Sequence, residues 1–135
     1  MENQTYFQRH KGIGILATAD AQGKVNAAVY SRPHFLEDGT VAFIMRDRLT
    51  RHNLKSNPFA AYLFVEDGPG YQGKRLYLEK LREEKDSELI DKIRRRTNSK
   101  NNEVSRFLVV FELKSELPLI GAAEEVTKPE NGVPA

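Results

Sequence analysis

"GILATADAQGKVNAAVYSRP", Gly14 to Pro33, spells two strands joined by a turn. Ile13, Ile15, Ala17 and Ala19 alternate with Gly14, Leu16 and Thr18, a period of two that sends successive side chains to opposite faces. Asp20 to Gly23 supply turn chemistry, and the alternation resumes from Val25 to Arg32. Working outward, "EDGTVAFIM" is a turn followed by a third strand, Thr40 to Met45. "AAYLFVED" from Ala60 is a fourth, ended by the breakers "DGPG". "KRLYLEKL" is a fifth, from Lys74 to about Arg82, and "RFLVVFELK" a sixth, Arg106 to Lys114. Short strands with tight turns predict a small closed or partly open barrel, because closure removes exposed edges.

Two helical stretches interrupt the strands. Thr50 is placed as N-cap of a short helix from about Arg51 to Ser56, stopped by Asn57-Pro58. "DSELIDKIRRR", Asp86 to Arg96, puts Leu89, Ile90 and Ile93 on one face, with acidic residues ahead of basic ones as the helix dipole prefers. "TNSKNNE", Thr97 to Glu103, reads as a polar loop. Residues 1–121 form the expected domain, and 122–135 a tail with too few apolar groups to pack. "AAYLFV" and "RFLVVFEL" are apolar on both faces, whereas a barrel has one interior. Either the helices or a second subunit must cover the other face, and a second subunit, packed around Tyr62 and Val109, is the favoured one.

Composition narrows the function. At 135 residues the chain suits one domain with a modest core. A net charge of +2 is too small for a chain-wide grip on nucleic acid, so any such grip has to be local. The absence of cysteine removes disulfides, thiolate catalysis and Fe–S clusters together. No apolar stretch approaches the roughly 20 residues of a membrane span, and "MENQTYFQRHKG" lacks the apolar middle of a secretion signal. A cytoplasmic protein is expected.

Several motifs fail as catalytic signatures. "GPGYQGKR" imitates a phosphate-binding loop, but Arg75 stands where a magnesium-holding hydroxyl belongs, and "RLYLEKL" alternates like a strand where a helix must begin. A glycine-rich hairpin or a loop against a cofactor fits better. "GIGIL" lacks the third glycine and the helix of a dinucleotide fingerprint. His10, His34 and His52 have no metal-ligand spacing and read as lone surface histidines. "EKLREEKDSE" reads as a solvated strand end and helix start.

"IMRDRLTRHNLKSNP", Ile44 to Pro58, is different. A solvated helix face accounts for Arg51 and Lys55, but not for Arg46 and Arg48 at the join between a buried strand and a helix. There, unpaired backbone N–H groups and the helix dipole favour an anion, and a hydroxyl with an arginine fork suits a phosphate monoester. Nucleic acid would want aromatics interleaved on an open face, whereas Phe43, Tyr62 and Phe64 alternate inside strands.

"LATADAQGKVNAA", "EDGTVAF" and the Thr50-to-Pro58 pattern T-x-x-N-L-x-x-N-P, in this order and spacing, resemble the FMN-binding split barrels related to pyridoxamine 5'-phosphate oxidase, over roughly residues 12 to 84. The resemblance implies a mainly β fold, a six-stranded split β-barrel of Greek-key type with short peripheral helices. It implies FMN as cofactor, its phosphate held by Arg46, Asp47, Arg48, Leu49 and Thr50 with Asn53 one turn along. The isoalloxazine edge would lie along Val29, Tyr30, Ser31 and Arg32, with the loop "GPGYQGK" nearby. It further implies a homodimer with flavin in clefts between subunits. The oxidase itself has an Arg-Lys pair where this chain has Leu49-Thr50, and Arg46 and Arg48 are candidates to take over that duty. The expected function is that of an FMN-dependent oxidoreductase on an unidentified small molecule, with no nucleic acid, membrane or metal partner. The alternatives are a flavin-binding electron carrier or sensor and a small nucleic-acid-binding barrel. Haem or F420 in place of FMN is a variant of the first. No general acid or base stands out, and no catalytic residue is assigned.

Overall fold

A computed structural model of the protein describes residues 2–96 and 105–121. The polar loop read at Thr97 to Glu103 and the tail read from Ala122 lie outside the described residues. In chain order the elements are α1 (Glu2–Arg9), β1 (Gly12–Ala19), β2 (Val25–Tyr30), β3 (His34–Phe35), β4 (Val41–Met45), α2 (Leu49–Ser56), β5 (Phe59–Glu66), β6 (Gly73–Lys85), α3 (Glu88–Arg96) and β7 (Phe107–Pro118).

All strand pairs are antiparallel, in one seven-stranded sheet of order β2-β1-β5-β6-β7-β4-β3. The strand beyond the expected six is β3, whose two residues pair with β4 and are too short to register as periodicity. The edges β2 and β3 are neighbours in sequence, yet no ladder joins them among the described residues, so the sheet stays open where a closed ring was one expectation. It is nevertheless strongly curled. The Phe43 ring of β4 lies 5.1 Å from Tyr62 of β5 and 6.0 Å from Tyr30 of β2, although β6 and β7 separate β4 from β5 in the sheet.

The curl gathers Leu16, Phe43, Tyr62, Phe64, Leu76, Val109 and Phe111 into one dry core. Each such side chain contributes about 1.5–3 kcal/mol by leaving water. Helix α1, which the sequence reading missed, adds Phe7 to that core, with its ring 5.1 Å from Phe64.

Alternation along β7 sends Leu108 and Val110 to the other face, where they pack with Ala42 under Ile90 and Ile93 of α3. The second face of β7 is therefore covered by a helix of this chain and needs no second subunit. Tyr62 and Val109, expected at a subunit contact, are both fully buried in the core. The face left open belongs to β1, β2 and β5, where Ile13, Val25, Val29 and Phe59 are 57, 83, 77 and 59% exposed.

Candidate functional site

Helix α2 starts at Leu49, two residues ahead of the expected start at Arg51. Arg48 is its N-cap, extended, with no side-chain cap hydrogen bond. Thr50, expected as the cap, lies inside the first turn and is buried. Its Oγ1 accepts a 3.4 Å hydrogen bond from Asn26 Nδ2, and it shares another with the Tyr30 hydroxyl. One turn along, Asn53 Nδ2 donates to Thr18 Oγ1 at 3.1 Å, away from water. Leu54 completes this face by packing into the core. Thr50, Asn53 and Leu54 are spaced three and four apart, as one helix face requires. The helix is thus fixed to β1 through Thr18 and to β2 through Asn26 and Tyr30.

The opposite side of the first turn faces solvent, with Arg48 and Leu49 exposed. The opening amides of a helix have no intrahelical acceptor, and the macrodipole puts partial positive charge on them. No acidic residue sits in this first turn to offset it. Burial raises the Tyr30 pKa, while the Thr50 hydrogen bond and the Arg48 charge act the other way. Tyr30 is therefore a neutral hydrogen-bonding hydroxyl beside the guanidinium. Together these groups suit a phosphate-sized anion: one arginine fork, uncapped amides, an amide side chain and two hydroxyls.

The structure divides the residues singled out from the sequence. Tyr30, Arg48 and Thr50 come together at the α2–β2 junction, while Leu49 is exposed on the solvent side of that turn and Asn53 is turned to Thr18 of β1. Asn26 joins them unpredicted, although a polar side chain at an inward position of a strand was the available signal. Val29 points outward on the open apolar face. Ser31 and Arg32 lie in the β2–β3 connection. The Ser31 carbonyl accepts a 3.0 Å hydrogen bond from the Tyr62 hydroxyl, and Arg32 donates to the Phe7 and His10 carbonyls at the end of α1, at 2.9 and 3.1 Å.

Arg46 continues the alternation of Ala42 and Ile44 toward the α3 side, where its charge acts on Arg106. Asp47 pairs with Arg51 at 2.8 Å. Arg51, read as solvated, is buried: it also binds Glu83 at 2.5 Å, and its guanidinium lies 3.5 Å over the Phe107 ring. Glu83, read as part of a solvated charge run, has its pKa held down chiefly by that Arg51 hydrogen bond. A pair 32 positions apart leaves no local trace in a sequence.

The other motifs resolve simply. "GPGYQGKR" is the β5–β6 hairpin followed by strand β6, with positive φ at Gly68 and Gly70. It lies at the Lys11 end of β1, where the Asp67 N–H donates to the Lys11 carbonyl at 2.8 Å, whereas α2 meets β1 at Thr18. His52 is exposed. His10 is instead half-buried, stacked 4.3 Å from Tyr6, and His34 lies in β3 against a cavity. Among the described residues, no helix is long and apolar enough to cross a membrane.

The chain matches no family model and no curated protein. Solved structures do resemble it. An FMN-binding protein from Syntrophomonas wolfei subsp. wolfei superposes with a TM-score of 0.72 at 24% identity, covering 89% of this chain and 85% of that one. An F420 reductase does so at 0.67 and 16%, covering 83% and 94%. HutZ, the haem storage protein from Vibrio cholerae, gives 0.59 and 20%, covering 87% and 92%. The chain has the split-barrel fold that flavin-binding and pyridoxamine 5'-phosphate oxidase-like neighbours share.

Proposed function

We propose that this protein binds FMN at the α2–β2 junction and serves as an FMN-dependent oxidoreductase on a small molecule. The observation that carries the reading is the uncapped start of α2 beneath Arg48, held against Asn26 and Tyr30 of β2. Arg48 and the first-turn amides would take the phosphate, with Asn26, Tyr30 and Thr50 shaping its rim. Arg46 and Asp47, which lead away from this junction, are dropped from that role. Val29 on β2, with Ser31 and Arg32 in the β2–β3 connection that follows it, would border the ring. When bound, the flavin supplies the hydride or electron transfer; the chain supplies orientation and a dry environment.

The reading includes a homodimer. The open face of β1, β2 and β5 joins Ile13, Val25, Val29 and Phe59 across the paired positions Ile15–Val29 and Ile15–Leu63. A second copy covering it would bring another surface to the β2 edge, where the ring is expected. The likeness to an FMN-binding protein favours flavin, and that to HutZ keeps haem as the second reading.

Titration with FMN and riboflavin tests the assignment. FMN is expected to bind at least tenfold tighter, because one charge-assisted hydrogen bond is worth ~1.5–3 kcal/mol. Equal affinities would remove the phosphate site, and a haem spectrum in the purified protein would replace the flavin.

A further inference from the structure

A cavity of about 670 Å³ lies between α1, the β2–β3 connection, β4, α3 and the start of β7. Arg32, His34, Arg94 and Arg106 line it, and no carboxylate does so among the described residues. Its remaining walls include Phe7, Phe35, Ile44 and Ile93. The volume falls in the range of small-molecule sites, roughly 300–1,000 Å³.

The basic groups are held there at a cost. The β4–β7 ladder pairs Ile44 with Leu108 and Met45 with Phe107, so Arg46 and Arg106 come next on the two strands. Like charges opposite one another on paired strands are destabilising. Arg106 is buried, and burial, then the Arg46 and Arg94 charges, work against its protonated form. Its main chain is nonetheless fixed. The Arg106 N–H donates to Asp86 Oδ1 at 2.9 Å, and the Asp86 N–H donates to the Arg106 carbonyl at 2.8 Å. Asp86 itself has a φ of 48°, a left-handed conformation that aspartate tolerates better than most residues. His34, Arg94 and Arg106 also engage partners within the protein, and an incoming anion adds to those contacts.

We infer that this cavity binds a small organic anion, a flat apolar body carrying a carboxylate or phosphate, with the oxyanion toward Arg94 and Arg106 and the body against Phe7, Phe35 and Ile93. An anion offsets the clustered guanidinium charge with fork-shaped hydrogen bonds, and the apolar walls reject bare inorganic ions in favour of a molecule with surface to bury. Ser31 and Arg32 line the same cavity, so its occupant would meet the ring edge of the flavin. That adjacency rests on the flavin reading above; the anion preference does not.

Calorimetric titration of the full chain, without flavin, with benzoate, phenyl phosphate and neutral benzamide tests the preference. At least one anion is expected to bind about tenfold or more tighter than benzamide, and whichever binds tighter identifies the oxyanion. Arg106→Gln and Arg94→Gln should each reduce that affinity about tenfold while leaving FMN affinity unchanged within about twofold. Arg94→Gln keeps the test decisive if Arg106→Gln does not fold. Equal binding of anion and benzamide, or an anion affinity indifferent to both changes, would overturn the site. With FMN loaded, the bound anion should perturb flavin absorbance at the concentrations that saturate calorimetry. Saturation without perturbation would overturn the adjacency alone, and failure to bind FMN with anion binding intact would overturn the flavin reading instead.

Discussion

The Tyr62 hydroxyl crosses Gly14 to donate a 3.0 Å hydrogen bond to the Ser31 carbonyl. It ties the centre of β5 to the start of the β2–β3 connection, the segment that would border the flavin ring. A Cβ on Gly14 would collide with this hydroxyl and its ring carbon, so the glycine exists for close approach rather than for a turn. Burial pushes the Tyr62 pKa up, keeping the hydroxyl a donor throughout the ordinary pH range.

Tyr62→Phe should lower stability by about 1 kcal/mol through the lost hydrogen bond and the carbonyl left without it. Gly14→Ala should cost more, because it displaces the ring as well as the bond. Urea denaturation of the three proteins checks both. A Gly14→Ala protein no less stable than Tyr62→Phe would mean that the tyrosine has room to move.

Arg51 is the second fixed point. It joins Asp47 at the start of α2 to Glu83 on β6, with its guanidinium over the Phe107 ring. Arg51→Met would leave Lys80, 3.3 Å away, as the remaining cation at the half-buried Glu83 carboxylate, and a loss of about 1.5–3 kcal/mol is expected from the charge-assisted hydrogen bonds removed. The pH dependence follows in sign. The Glu83 pKa is lowered in the folded protein from its ordinary 4.5, so its contribution is present above that value and is lost as pH falls through the folded one. Glu83→Gln should therefore flatten the acid side of the stability profile. An unchanged acid limb in that variant would show that other carboxylates govern it.

These contacts mark where sequence reading ends. The β1–β2 hairpin, β6 and α3 were legible because apolar residues keep the period of a strand or of a helix, and β4 and β5 because short apolar runs lie between breakers such as Gly39, Pro58 and Asp67. β3 was missed because two residues cannot display a period. α1 was missed because its polar octapeptide shows only Phe7 buried, an anchor that matters through Phe64 on a distant strand. At the site, Arg48 and Thr50 were legible as base and hydroxyl at a strand–helix join. Arg51 was misread because its partners Glu83 and Phe107 lie far along the chain. Arg46 was grouped with Arg48 as a base at the strand–helix join, whereas strand alternation carries it to the α3 side, where its charge acts on Arg106.

The open face makes a separate prediction. Phe59 and Val29 are large, apolar and more than half exposed. Phe59→Asp or Val29→Asp should convert a dimer to a monomer in sedimentation, with little loss of fold because neither side chain enters the core. A wild-type protein that sediments as a monomer at micromolar concentration would sink the proposed interface.

The last prediction separates a phosphate site from general positive charge. Arg48 starts α2 with its guanidinium near Tyr30, whereas Lys55 sits exposed in the last turn, where a cation is already favoured by the helix dipole. Arg48→Ala should weaken FMN about ten- to hundredfold, the equivalent of one charge-assisted hydrogen bond. Asn26→Ala should weaken it less, because its amide reaches the site through Thr50. Thr50→Val should fall between, since it keeps the backbone amide but releases both Asn26 and Tyr30. Lys55→Ala should leave affinity unchanged within about twofold. Riboflavin affinity should be indifferent to Arg48→Ala, which lacks only the phosphate's partner. Equal losses at Arg48 and Lys55, or a loss of riboflavin matching that of FMN, would mean that no phosphate rests on the start of α2.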